Sequence, residues 1–168
     1  VGDFWSWAYS DILSNRNRAI YAEFLVGSSL DVVNIPKIEW DGVDLLYKGR
    51  KIEVKSSAFI QSWKQRKLSP IRFDISKKKA WYAEDNTFET EPVRAADCYV
   101  FCLYAETDES KVNVLDIRDW QFYVLSTEEI ESELGDQKSV GIKRIQTMCN
   151  YVDYKSLKDC IDQVLKLE

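Results

Sequence analysis

Val43-Asp-Leu-Leu-Tyr-Lys-Gly-Arg-Lys-Ile-Glu-Val-Lys55 reads as two short strands around a two-residue turn. Val43 to Tyr47 and Arg50 to Lys55 are strand-like, and Lys48-Gly49 supplies the turn, with glycine where a positive φ costs least. A two-residue loop sets Tyr47 opposite Arg50. Counting outward pairs Leu46 with Lys51, Leu45 with Ile52, Asp44 with Glu53 and Val43 with Val54. Alternation tests that register independently, because paired residues share a face of the sheet. Val43, Leu45, Ile52 and Val54 fall on one face, and Asp44, Leu46, Lys51, Glu53 and Lys55 on the other. A slip of one residue would mix the apolar and charged sets, so turn and pattern agree.

The elements around this hairpin define an α/β chain. Upstream, a helix is predicted from about Ser14 to Leu30, with Ser14 or Asn15 as N-cap and apolar side chains on most faces. Glu23 lies in its middle, with Ala19 four residues before and Gly27 four after, so another element can approach that carboxylate closely. Downstream, Ile71, Phe73 and Ile75 alternate as a third strand, and Ser76 to Glu84 reads as a short helix. Cys98 to Tyr104 is a continuous apolar run expected as a buried central strand, and Trp120 to Leu125 is a further strand. Ser126-Thr-Glu-Glu129 has capping-box spacing and opens a helix to about Leu134. Asp153 is expected to cap a last helix whose apolar stripe is Tyr154, Leu157, Ile161, Val164 and Leu165. With six glycines and three prolines in 168 residues the chain has few natural breaks, and a single domain over 1–168 is expected.

Composition narrows the chemistry. There is no histidine, which excludes Ser-His-Asp and Cys-His nucleophile systems, histidine general bases and histidine-ligated zinc. Cys98, Cys102, Cys149 and Cys160 form no CxxC pair and read as buried thiols of a reducing compartment. No apolar stretch approaches 18 residues, so no membrane association is expected and a cytoplasmic location is. The formal charge of -5 conceals a strong asymmetry. Residues 1–47 carry -4, residues 48–79 carry +9 and residues 80–168 carry -10. The basic block begins at the hairpin turn, and the acidic remainder is expected to face away from any polyanion.

Two carboxylates facing each other on adjacent strands repel unless a positive charge lies beside them. Lys55, two residues past Glu53 on the same face, brings an ammonium to that patch. Acid-x-Lys alone is a weak signal: it occurs at Glu53, Glu109, Asp136 and Asp153, against about 2.5 matches expected by chance from the composition. Only Glu53 lies in an alternating strand with an acid opposite and a helix glutamate upstream. On these residues the chain resembles the PD-(D/E)XK nuclease superfamily, shared by many restriction endonucleases, Holliday-junction resolvases and repair exonucleases. Asp44 in Gly42-Val43-Asp44 resembles the first acid of the motif, and Glu53-Val54-Lys55 its second acid and lysine. Glu23 resembles the acid that many members carry on the first core helix. Val43 stands where the motif has its proline, which leaves the acid positions intact. The resemblance is best from about Asn15 to Ile75 and extends through Cys98 to Tyr104.

That resemblance implies a restriction endonuclease-like three-layer fold, a mixed central sheet flanked by helices, with its core at about 15–105 and 106–168 as an extension of the same domain. It implies Mg2+- or Mn2+-dependent hydrolysis of DNA phosphodiester bonds. Asp44, Glu53, the Val54 carbonyl and Glu23 would hold the metal, and Asp44, Glu53, Lys55 and Glu23 would carry catalysis. The basic block suits contacts to a nucleic-acid backbone by Lys51, Gln61, Trp63, Lys64, Arg66, Lys67, Arg72 and Lys77. Cleavage of both strands would call for a homodimer. The alternative reading is a catalytically inactive module of the same fold that binds nucleic acid or protein.

Overall fold

The structure, a computed structural model, describes residues 1–34, 42–79 and 90–167, together with the backbone at 81–82 and 87–88. The hairpin is present in the register that its turn dictates. β1 (Leu45–Tyr47) and β2 (Arg50–Ala58) are antiparallel, pairing Leu45 with Ile52, Leu46 with Lys51 and Tyr47 with Arg50. Lys48 and Gly49 both have positive φ, 47° and 76°, as a tight two-residue hairpin turn requires.

β6 (Cys98–Tyr104) lies beside β2 in parallel, and β7 (Trp120–Ser126) beside β6 in antiparallel, giving a mixed sheet in the order β1-β2-β6-β7. Every residue of β6 is buried, as expected of a central strand covered on both faces. One face packs under α2 (Asn15–Ser29) and α5 (Leu157–Val164) through Ala22, Leu25, Val26, Ile52, Val54, Val100, Leu157 and Ile161. The other face carries Tyr99, Phe101, Tyr123 and Leu125. It is covered by α3 (Thr127–Leu134), α4 (Ile142–Met148) and a two-stranded ribbon of β3 (Arg72–Asp74) with β8 (Ser139–Gly141). Residues 106–168 are thus integral to the core: they supply β7 of the main sheet and part of both covering layers. Ser14 caps α2 by accepting the Asn17 N–H. Ser126 and Glu129 complete the capping box of α3.

Four expectations are corrected. The stretch Ser76 to Glu84 is no helix where it is described: the Ser76 hydroxyl bonds Asp74 and the Lys138 carbonyl, and Lys78 bridges Val93. The backbone then pairs as β4 (Trp81–Tyr82) with β5 (Thr87–Phe88), while Ala80, Ala83 and Glu84 lie outside the described residues. The strand at Ile71 to Ile75 is present but shorter than expected, Arg72–Asp74, and it lies in the covering ribbon. Asp153 accepts the Ser156 N–H at 2.9 Å and so caps a turn ahead of α5, which starts at Leu157. Cys98 and Cys102 are buried thiols, but Cys149 and Cys160 are only half-buried. α1 (Gly2–Tyr9), which buries none of its residues, and β8–α4 carry no periodicity strong enough to predict them. No helix among the described residues is long and apolar enough to cross a membrane.

Candidate active site

The site forms where β1 stops short of β2. The ladder ends at Leu45 opposite Ile52, and β2 continues to Ala58 with no β1 partner. In a strand the N–H and C=O of one residue point to the same side, so Val54 turns both toward this vacated edge. The Asp44 carboxylate fills half of it: its Oδ2 accepts the Val54 N–H at 2.7 Å. A side chain thereby replaces the backbone acceptor that a longer β1 would offer. The bend this demands moves Val43 out of its expected place. Instead of joining Leu45, Ile52 and Val54, Val43 packs against the cluster on the opposite face.

Glu53 and Lys55 project from β2 on the face away from α2, alternating with buried Ile52 and Val54. They are ion-paired to each other, with 18% of each side chain exposed. Burial pushes the Glu53 carboxyl up from its ordinary value, the Asp44 charge pushes it further, and Lys55 pulls it back. Lys78 adds a weaker pull. Glu53 stands beside Tyr99 of β6, whose phenol is raised first by burial and then by that carboxylate.

Glu23 approaches from the other side, half-buried on α2. The Cys102 thiol, pushed up by burial, feels the charges of both Asp44 and Glu23, which places the two acids near one buried atom. Gly27 permits this approach: a Cβ there would lie 2.7 Å from Val33 Cγ1 and 3.3 Å from Leu45 Cδ2. Helix α2 therefore sits against the end of β1, directly before Asp44. Among the described residues no group of three or more Asp, Glu or Cys side chains is close enough to hold an ion by itself. A cation here would rest on Asp44 and Glu53, whose charges act on each other, with the Val54 carbonyl, Glu23 and water completing its shell. All of these are hard oxygen donors, suited to Mg2+ or Mn2+.

The residues expected to contact nucleic acid divide into two groups. Lys64, Arg66 and Lys67 are exposed on the loop after β2 and make no ion pair among the described residues, and Trp63 beside them is 55% exposed. Arg72 is exposed on β3 and donates to Ser139 Oγ at 3.0 Å. The others are engaged with protein. Lys77 pairs with Asp136 at 2.8 Å and Glu131 at 3.4 Å. Half-buried Lys51 gives its backbone N–H to Asp97 at 2.7 Å. Gln61 donates to the Ala58 carbonyl and accepts from Arg18, a packing role.

The acidic remainder does not face away from the basic block. Asp97, Glu131, Asp136 and Asp162 pair with Arg50, Lys77 and Lys48. Two residues near the site carry no motif that would have singled them out. One is Arg18, which bonds Ser56 directly after Lys55. The other is Lys78, whose charge reaches Glu53 from a different strand ribbon. Comparison with protein-family models, with curated proteins and with solved structures finds no match for this chain.

Proposed function

We propose that the protein is a metal-dependent nuclease of the restriction endonuclease-like, PD-(D/E)XK type, hydrolysing DNA phosphodiester bonds. The observation that carries this reading is the bend at Asp44. The chain gives up strand pairing to set that carboxylate on the Val54 N–H, next to the Glu53–Lys55 pair, where β2 runs on past the end of β1. A structural hairpin gains nothing from bringing two acids within reach of each other's charge, since neighbouring like charges are destabilising.

A divalent cation held by Asp44, Glu53 and the Val54 carbonyl would supply Lewis-acid polarisation of a phosphoryl oxygen. Lys55 orients the attacking water and stabilises the negative charge that develops on phosphorus-bound oxygens. Glu53 holds the Lys55 ammonium in place through their ion pair. Asp44 and Glu23 fix water through hydrogen bonds from opposite sides of the sheet edge. No step requires histidine, in keeping with the composition. One such site cuts one strand, and a homodimer would cut two.

The deciding experiment is a cleavage panel of duplex, single-stranded and branched DNA and of RNA, with Mg2+, Mn2+ or EDTA. Wild type, Lys55→Ala and Glu53→Gln are compared. Metal-dependent cleavage by wild type, lost in both variants with folding retained, is expected. If wild type cuts none of these substrates with either metal, the enzyme reading is wrong and the inactive-module reading replaces it.

A further inference from the structure

Arg18, in the first turns of α2, is only 3% exposed. Taking a guanidinium out of water is expensive, and buried cations are normally matched by a carboxylate. The other buried arginine shows the usual solution: Arg94 sets Nη1 2.7 Å from Glu131 Oε1. Arg18 has no such partner among the described residues. Its acceptors are the Leu13 carbonyl at 2.9 Å, Asn15 Oδ1 at 2.7 Å, Ser56 Oγ at 3.3 Å and Gln61 Oε1 at 3.4 Å, all neutral. Burial accordingly lowers its pKa to about 10, with no acid to pull it back up.

The surroundings show what would complete it. The bonds from Ser56 and Gln61 are long, and Asn15 is exposed, so three of the four acceptors are side chains that an incoming anion can displace. Ser56 directly follows Lys55 on β2. Gln61 opens the loop that carries Lys64, Arg66 and Lys67. Ser56 turns its side chain to the α2 face of β2, the face opposite Lys55, so the uncompensated charge lies on the Glu23 side of the strand, next to the start of the unpaired basic loop.

We infer that Arg18, Ser56 and Gln61 form a phosphate-binding subsite, in which the planar guanidinium fork takes two oxygens of a nucleic-acid backbone phosphate neighbouring the one attacked. The identity of the ligand rests on the nuclease reading; the anion site itself rests on the geometry of Arg18. On binding, the Asn15 and Gln61 amides swing aside, and the Ser56 hydroxyl turns from acceptor to donor. Bidentate contact of this kind is what arginine provides and lysine does not.

The test compares thermal unfolding in sodium phosphate and in sodium chloride of equal ionic strength, for wild type and Asn15→Asp. The Asp variant changes an exposed residue and places a resident carboxylate on the guanidinium. Wild type should melt about 2–4 °C higher in 50 mM phosphate. Asn15→Asp should melt higher than wild type in chloride and gain nothing further from phosphate. A labelled duplex oligonucleotide, titrated in EDTA to prevent cleavage, should bind Asn15→Asp about 5- to 10-fold more weakly, with the salt slope reduced by about 1. Equal melting of wild type in the two salts, or a phosphate increment that survives in Asn15→Asp, overturns the subsite. A phosphate effect that Asn15→Asp removes, in a protein that cleaves nothing, upholds the subsite and sinks the nuclease reading. Cleavage by wild type with duplex affinity unchanged in Asn15→Asp does the reverse.

Discussion

Replacing Asp44 by Asn and, separately, by Ala resolves two effects that one carboxylate combines. Its Oδ2 takes the Val54 N–H at 2.7 Å, a charge-assisted bond contributing about 1.5–3 kcal/mol. The same charge stands one position past the last ladder pair and raises the Glu53 carboxyl. Repulsion between two partly solvated carboxylates beside a lysine is on the order of 1–2 kcal/mol. Alanine removes bond and repulsion together and leaves the Val54 N–H without its acceptor, for a net loss of about 1 kcal/mol. Asparagine keeps an acceptor oxygen, giving up about 1 kcal/mol of charge assistance in that bond along with the repulsion. It should therefore match wild type or exceed it by up to about 1 kcal/mol while cleavage disappears. Urea unfolding followed by tryptophan fluorescence measures both variants, with buried Trp120 as a reporter. Midpoints are compared only where the m-value is unchanged. An Asn variant destabilised by 2 kcal/mol or more would refute the reasoning: Asp44 would then be a structural plug whose charge the fold needs.

Three further outcomes are expected. Duplex binding should show a log–log salt slope of about -5, because Lys64, Arg66, Lys67, Arg72 and Lys79 of the basic block make no ion pair among the described residues and Arg18 adds one contact, while Lys48, Arg50, Lys55, Lys77 and Lys78 are paired. A slope near -8, as the block's full charge would give, contradicts that pairing. At Asp74, burial pushes the carboxyl up, but bonds from Ser76 and Lys78 outweigh it and hold it at about 2. Being depressed, this group stabilises the fold above its ordinary value of 3.8 and loses that contribution as pH falls toward 2. Its side chain is half exposed, so Asp74→Asn should cost only about 1 kcal/mol at pH 6 and nothing near pH 2; a cost constant with pH in urea melts contradicts this. Finally, burial pushes all four thiols up, Cys98 to about 12 and Cys149 to about 11. At pH 8 the native protein should react with a thiol reagent about a hundredfold more slowly than the unfolded chain. Labelling of any one cysteine at the unfolded rate would show an opening the fold does not provide.

What could be read before the fold was known is what short-range geometry controls. A two-residue turn at Lys48-Gly49 leaves one register for the hairpin, and the capping box at Ser126 and Glu129 needs only three residues of spacing. The all-apolar run at Cys98–Tyr104 announces a doubly covered strand. The position of the Ile71–Ile75 strand was illegible because alternation reports that a strand has one buried face, not which sheet it joins. The same limit hid the bend at Asp44. Period-two counting assumes the strand continues, and here a side-chain acceptor ends it, sending Val43 to the other face while the acids stay together. Arg18 could not be singled out either, since an arginine in the first turns of a helix signals solvent unless its burial is known.

Charge shows most plainly where sequence and fold part company. The +9 of residues 48–79 suggests a broad basic surface, yet Lys48, Arg50, Lys77 and Lys78 are each neutralised by a carboxylate, three of them by acids from the -10 remainder. Those pairs are exposed and contribute little to stability. Their larger effect is to subtract: they confine unpaired positive charge mainly to the loop after β2 and to Arg72. Arg18 reverses the pattern, a cation kept dry with no counter-charge among the described residues. A surface that only needed to attract a polyanion would leave its lysines free and its arginines wet. Withholding charge from the flanks and storing it beside Ser56 instead favours one phosphate position over many, as the proposed cleavage would require.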